Sequence, residues 1–329
     1  MEKYIANLDE YNAIKIASEF NQFDFNNDSK CILKFDNNIS CTPFGMLLIG
    51  DSIRSFRNNY NQNDFFIRLN KEAESINYAG HMGFFKFISE NIPFGKNPGD
   101  AIGNNNYIPI TKVDFCNYRK NPYFKYSEPL TYIEYEAGNL ANVLAQKNRE
   151  LEKLFKYLIR EMIRNSQEHG QTDCAWICGQ NWKSKNKAEI AILDNGIGYK
   201  NSLIKKYKNI ENDEIAIRYA LKPGVTESYI NKFSPEDENS GFGLYVASEV
   251  CDMLNGSFSI LSGDTFLKKK GGSIVTHGTY MNGSIIKLSV DTSIKFNYQE
   301  LLKKIVDKGE KLLKANKASE LSKGKFIIK

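Results

Sequence analysis

Between residues 137 and 169 the chain reads as one long helix, and that run constrains everything after it. Leu151, Leu154, Phe155, Leu158, Met162 and Ile163 recur at three- and four-residue spacing, which lines one helix face with apolar side chains. Such a stripe has to be covered, and the following segments supply the cover. CAWICGQNW (174–182) and KAEIAILD (187–194) read as two antiparallel strands. GLYVASEVCDMLN (243–255) reads as a second helix, then SFSILSG (257–263) and GSIIKLSV (283–290) as strands. Helix, strands, helix, strands lays helices on one face of a mixed sheet, a two-layer sandwich.

Upstream the pattern differs. CILKFD (31–36) reads as a strand, Pro43 opens a helical stretch, DFFIRLN (64–70) is another strand and 75–92 another helix. This β-α-β-α order predicts a small α/β domain. Residues 93–125, rich in Gly, Asn and Pro, read as a loop-rich connector. The expected fold class is therefore α/β, divided into 1–125, 126–295 and a basic helix or tail over 296–329. A length of 329 residues suits about two domains at ~150 residues each.

Composition narrows the function classes. With 41% hydrophobic and 25% charged residues, the chain has material for a sizeable core and is not a disordered one. Its strongly apolar stretches, such as Phe44 to Ile49, fall far short of the ~18 residues of a membrane helix. MEKYIANLDEYN at the N-terminus has acidic residues and no hydrophobic run, so no signal peptide is expected. The six cysteines lack paired metal-type spacing and predict reduced thiols in a cytoplasmic protein. Net charge is +5, yet 295–329 holds ten lysines against four acids, so the rest is slightly acidic. The lysines carry no readout pattern of Arg or aromatics, so a solvated helix with a frayed end is expected, and a nucleic-acid partner is not.

Three clusters can carry chemistry. The first ends the long helix. Glu161, Asn165 and His169, spaced i, i+4, i+8, share one face. An amide oxygen suits Mg²⁺, and a carboxylate one turn away can accept a proton from water or a hydroxyl. Taken alone, this is equally the wet face of a helix. The second is Asp194-Asn-Gly196-Ile-Gly198, an acid at a strand end followed by a glycine turn. The acid can accept a bond from an exocyclic amine and the glycines admit a flat ligand, or the segment is a plain Asn-Gly turn. The third is Ser240-Gly241-Phe242-Gly243-Leu244, opening the second helix, where exposed N–H groups and the helix dipole favour an anion. The polar stretch 222–240 before it could fold over a nucleotide, or be a plain surface loop. A G-x-x-x-x-G-K-[ST] phosphate loop is absent, Val246 replaces the third Gly of a dinucleotide fingerprint, and three histidines do not make a metal-only site.

In this order and spacing, E-x-x-x-N-x-x-x-H-G, D-x-G-x-G and G-x-G-L resemble the N, G1 and G2 boxes of the GHKL (Bergerat-fold) ATPases. That superfamily includes DNA gyrase, a heat-shock chaperone, histidine kinases and mismatch-repair ATPases. The resemblance spans roughly 135–292. It implies ATP and Mg²⁺ as cofactors, Glu161 as general base and Asn165 as Mg²⁺ ligand, with His169 among the nucleotide-binding residues. It makes Asp194 the adenine acceptor, with Gly196 and Gly198 lining the purine. Gly241, Phe242, Gly243 and Leu244 form the phosphate turn, and Ser284 takes the place of the family's threonine. The His169-Gly170 ending is more similar to the anti-sigma-factor serine kinases than to sensor histidine kinases, and about 35 residues after the last strand are too few for a gyrase-type second domain. The N-terminal segment resembles the STAS (anti-sigma antagonist) class in its strand, loop (Ser40-Cys-Thr42-Pro) and helix, without that class's Asp-Ser-Ser. Thr42 ahead of Pro43 also reads as an ordinary N-cap.

The implied function is that of a nucleotide-dependent regulator with slow hydrolysis or Ser/Thr phosphoryl transfer to a regulatory protein partner; a homodimer is compatible with the same reading. The alternative is a non-catalytic, nucleotide-gated interaction module in signalling or defence.

Overall fold

The computed structural model describes residues 2–21, 31–58, 65–101, 106–225 and 241–325. The first sheet is parallel, in the order β1 (Glu2–Ile5), β2 (Cys31–Phe35), β3 (Phe65–Arg68). In β2 alternate residues Cys31, Leu33 and Phe35 are buried, the period-2 pattern of a strand packed on one face. β1 and α1 (Glu10–Asn21) are additions to the sequence reading. The helix expected over 75–92 is two, α3 (Glu74–His81) and α4 (Phe84–Ile88). Gly83, at φ +86°, sits in the left-handed region and breaks the run.

α2 (Pro43–Asn58) is the hinge of the architecture. Pro43 opens it, and Thr42 Oγ1 caps it by accepting the Gly45 N–H at 3.2 Å. Phe44, Met46, Leu47, Leu48, Ile49 and Ile53 are fully buried, and every residue from Pro43 to Gly50 is buried and apolar, as a segment enclosed on every side must be; the second half of the helix carries Asp51, Arg54 and Arg57. It packs on α1 and α4 and, beyond them, on the second sheet.

That sheet is antiparallel throughout, in the order β4 (Tyr107–Asp114), β5 (Cys174–Trp182), β6 (Lys187–Asp194), β8 (Ser273–Asp291), β7 (Ser257–Lys270). β4 lies inside the stretch expected to be loop-rich connector. Pro109 and the Asn-rich run before Tyr107 hide a strand whose pairing with β5 is set across sixty or more residues of chain. β7 and β8 extend well past the segments read from sequence and join at Gly271-Gly272, both at positive φ, the backbone a two-residue hairpin turn needs.

The long helix divides into α5 (Pro129–Ala145) and α6 (Arg149–Glu168). Gln146 and Lys147 take positive φ, and Asn148 caps α6 by accepting the Glu150 and Leu151 N–H groups, a contact worth about 1 kcal/mol. The apolar stripe of α6 covers one face of the sheet together with α5, α8 (Asp213–Ala220), α9 (Gly243–Met253) and α10 (Tyr298–Lys325). These layers form the α/β sandwich expected from the sequence. On the other face Ile110, Ala191, Leu193, Leu261, Phe266 and Ile285 share one core with α1, α2 and the parallel sheet. β6 is consequently buried on both sides. α7 (Gly198–Leu203) follows it. No helix among the described residues is long and apolar enough to cross a membrane, and all six cysteines are unpaired.

Candidate functional site

The turn that ends α6 and the turn that ends β6 meet backbone to backbone. Ile197 N–H donates to the Gly170 carbonyl at 2.8 Å. A Cβ on Gly196 would fall 2.1 Å from that same oxygen, and one on Gly170 would fall 2.4 Å from the Ser166 carbonyl. Only glycine permits this approach, and it brings Asp194 against α6.

Asp194 is 5% exposed. Its Oδ2 accepts from the hydroxyls of Ser284 (2.8 Å) and Ser166 (3.0 Å), and its Oδ1 accepts the Gly196 N–H at 2.9 Å. Burial pushes its carboxyl up, while these donors pull it down. A carboxylate oxygen has room for two donors. Oδ2 is therefore full and Oδ1 has one place left. Ser284 stands directly opposite Asp194 in the β6–β8 register. Ser166 is an addition to the sequence reading; its signal was a small polar residue inside the apolar stripe, next to Met162 and Ile163.

Gly198, at φ +74°, lies over Ser262, whose Oγ accepts the Tyr199 N–H (3.1 Å) and donates to the Gly283 carbonyl (3.0 Å). Here the side chain lining the turn comes from β7, where at Asp194 it came from β8 and α6.

Glu161 and Ser166 are five residues apart on α6, about 7.5 Å along its axis. The Glu161 carboxylate lies against the first turn of α9: a Cβ on Gly243 would sit 2.6 Å from Glu161 Oε2. Its other oxygen is held by Arg160 Nε (3.1 Å) and Nη2 (2.9 Å), and Arg164 lies 3.9 Å away. Arg160 also bonds Glu134 of α5 at 2.9 Å. Both arginines are half-buried beside Glu161, and the sequence gives no sign that they turn toward it. Asn165 is half-buried one turn beyond Glu161. His169 is the C-cap of α6, its N–H on the Asn165 carbonyl at 3.0 Å.

Gly241, at φ +71°, lies against Gly224 and Val225, and its carbonyl accepts the Gly224 N–H at 3.1 Å. Phe242 and Leu244 are buried core residues, which leaves the turn's ligand-facing capacity to backbone at Gly241 and Gly243. A Cβ on Gly309 of α10 would lie 2.7 Å from the rings of Phe242 and Tyr245, so α10 backs this turn. Most of the stretch read as a lid (226–240), Ser240 included, lies outside the described residues.

One contact crosses from the N-terminal half. Asp51 of α2, 3% exposed, accepts from Arg54 (2.7 Å) and from Asn195 Nδ2 (3.1 Å), while Arg54 also donates to Asn195 Oδ1 at 3.0 Å. The Arg54 guanidinium rests over Phe87 and Trp176, 4.6 and 5.4 Å from the ring centroids. Burial raises the Asp51 carboxyl against the pull of Arg54 and Asn195. A closed ring of three side chains thus fastens the residue next to Asp194 onto α2.

Residues 150–289 match the family model of the histidine kinase-, DNA gyrase B- and HSP90-like ATPases. This segment, α6 to β8, is a GHKL-type ATP-binding domain. No curated protein and no solved structure matches the chain.

Proposed function

We propose that the region where α6, the Asp194–Gly198 turn and the start of α9 come together binds Mg·ATP, and that the bound nucleotide controls a protein partner, with slow hydrolysis or phosphoryl transfer to a Ser/Thr hydroxyl. The observation that carries this reading is Asp194: a buried carboxylate braced by three neutral donors, with one acceptor place open beside two glycines. That place suits the exocyclic amine of adenine, and the backbone at Gly196 and Gly198 suits the purine face. Backbone N–H groups of Gly241 and Gly243, at the positive end of α9, suit phosphate. His169, at the end of α6, is the remaining candidate for a contact to the nucleotide.

Among the described residues no cluster of three acidic, His or Cys side chains could hold a metal alone. A hard cation here would use the Asn165 amide oxygen together with phosphate oxygens. When bound, Mg²⁺ would neutralise charge on the phosphates. Glu161 is the candidate general base, receiving a proton from the attacking water or hydroxyl.

The second reading, a gated module without useful turnover, draws on Arg160. A guanidinium that holds Glu161 Oε1 through two N–H groups occupies the lone pairs with which that oxygen would receive a proton. Single-turnover incubation with γ-labelled ATP separates the two. Released or transferred phosphate that drops about 10²–10⁴-fold in Glu161→Ala, with nucleotide affinity kept, supports catalysis. Background release from the parent leaves the switch, and equal rates in parent and variant remove Glu161 from the chemistry.

A further inference from the structure

The far end of the same sheet holds a cavity of about 830 Å³, between the first turn of α1, the turn before β6 and the β7–β8 hairpin. It is within the ~300–1,000 Å³ of small-molecule sites. Lys187, at one end of β6, lines it, while Asp194 closes the other end, about 23 Å away at ~3.3 Å per residue. It is therefore a separate place from the candidate nucleotide site, and nothing below depends on how that site is read.

The floor is charged and buried. Three ammonium groups share two carboxylates: Lys268 (2.7 Å) and Lys287 both meet Glu10, and Lys187 meets Glu189 at 2.9 Å. Glu189, 2% exposed, is further committed to the Phe44 N–H at the start of α2. Lys287 is 4% exposed, and burial pulls its ammonium down to about 8. Directly opposite it in the β7–β8 register is Ser259, fully buried, whose hydroxyl has no partner. At the mouth Lys185, Lys270 and His277 have no carboxylate partner among the described residues. Two further acids line it and keep their charge: Asp9 caps α1 through the Asn12 N–H (2.9 Å) and Asp291 accepts the Ser293 N–H (2.9 Å). Part of the wall is apolar, with the His277 ring stacked on Phe266 at 6.2 Å and Ile14 nearby.

The lining carries five lysines against four carboxylates, with Lys287 buried and Lys185 and Lys270 exposed at the mouth, so a single anionic head group entering there would balance it. We propose that this cavity binds a small organic anion, a carboxylate or phosphate carried on a flat apolar body, with its head on Lys287 and Lys270 and its body against Phe266. The protein supplies its own reporter. Trp182 pairs with Lys187 in the β5–β6 register, with the Lys187 ammonium 5.0 Å over its ring. Trp176→Phe leaves it the single tryptophan of the chain.

In that background the full chain is titrated with benzoate, phenyl phosphate and benzyl alcohol while Trp182 emission is followed. A saturable change with benzoate or phenyl phosphate, absent with benzyl alcohol, is expected, and whichever anion binds tighter identifies the head group. Lys287→Met, and separately the exposed pair Lys185→Glu with Lys270→Glu, are each expected to weaken it about tenfold or more, the scale of a lost charged hydrogen bond. Asp194→Asn is expected to leave it unchanged. Should Lys287→Met fail a circular-dichroism check of folding, the exposed pair decides. The proposal is overturned if neither anion saturates, if benzyl alcohol acts equally, if the lysine variants bind like the parent, or if Asp194→Asn abolishes the response.

Discussion

The two ends of β6 handle buried charge in opposite ways. At the Asp194 end one acid is held by two hydroxyls and an N–H, all neutral. At the Lys187 end acids are held by ammonium groups. Neutral donors leave the carboxylate its charge and an open lone pair, so that end is poised to take a hydrogen-bond donor. Ion pairs cancel most of the charge and leave a positive remainder, so the other end is poised to take an anion.

The largest effect expected is on Asp194→Asn, which should lower ATP affinity about 100-fold in calorimetric titration, the scale of two to three kcal/mol for a charged hydrogen bond. Retained affinity would remove Asp194 from nucleotide recognition. Next comes Arg54→Ala, which breaks the ring with Asp51 and Asn195 without touching the nucleotide site. A loss of about 3–10-fold in the same titration is expected, one hydrogen bond's worth; no change would mean that α2 and the nucleotide turn are fastened but not coupled.

The smallest effects, a few degrees in Tm, have opposite pH signatures. Burial raises the Asp194 carboxyl, so its ionised form costs stability above that raised value and ceases to cost as pH falls through it. Asp194→Asn should melt higher than the parent at pH 8, and the gap should close on acidification. Burial lowers Lys287 to about 8. Its charged form costs stability below about 8, and the cost fades as pH rises toward the ~10.4 of an unfolded lysine. Lys287→Met should melt higher at pH 7, with a gap that closes on the alkaline side. Gaps that move in the same direction would erase the contrast between the two ends.

Much of the sandwich was legible because its signals are local. The α6 stripe, the strand-like run of β6 and the Gly-rich turns are each written within ten or twenty residues, whereas the cover on the second face of β6 comes from the distant N-terminal half. What escaped depends on distant chain. Gln146 and Lys147 break the long helix in a conformation that neither residue type announces. β4 is a strand because β5 needs an edge partner. Ser166 was visible as a polar interruption in the stripe, but its bond to Asp194 needed the fold. Asp51 and Arg54 lie more than 140 residues from Asn195 and carry no spacing that links them to it. Phe242 and Leu244 sit in the phosphate-turn motif, yet their side chains point inward.

The buried apolar first half of α2 has a practical consequence for dissecting this protein. Severing the chain at residue 125 would tear β4 from its sheet and strip the cover from Leu193, Leu261, Phe266 and Ile285. Each such side chain returned to water forfeits about 1.5–3 kcal/mol. The excised ATPase fragment should therefore be recovered from inclusion bodies, and a productive truncation would have to carry α2 along with it.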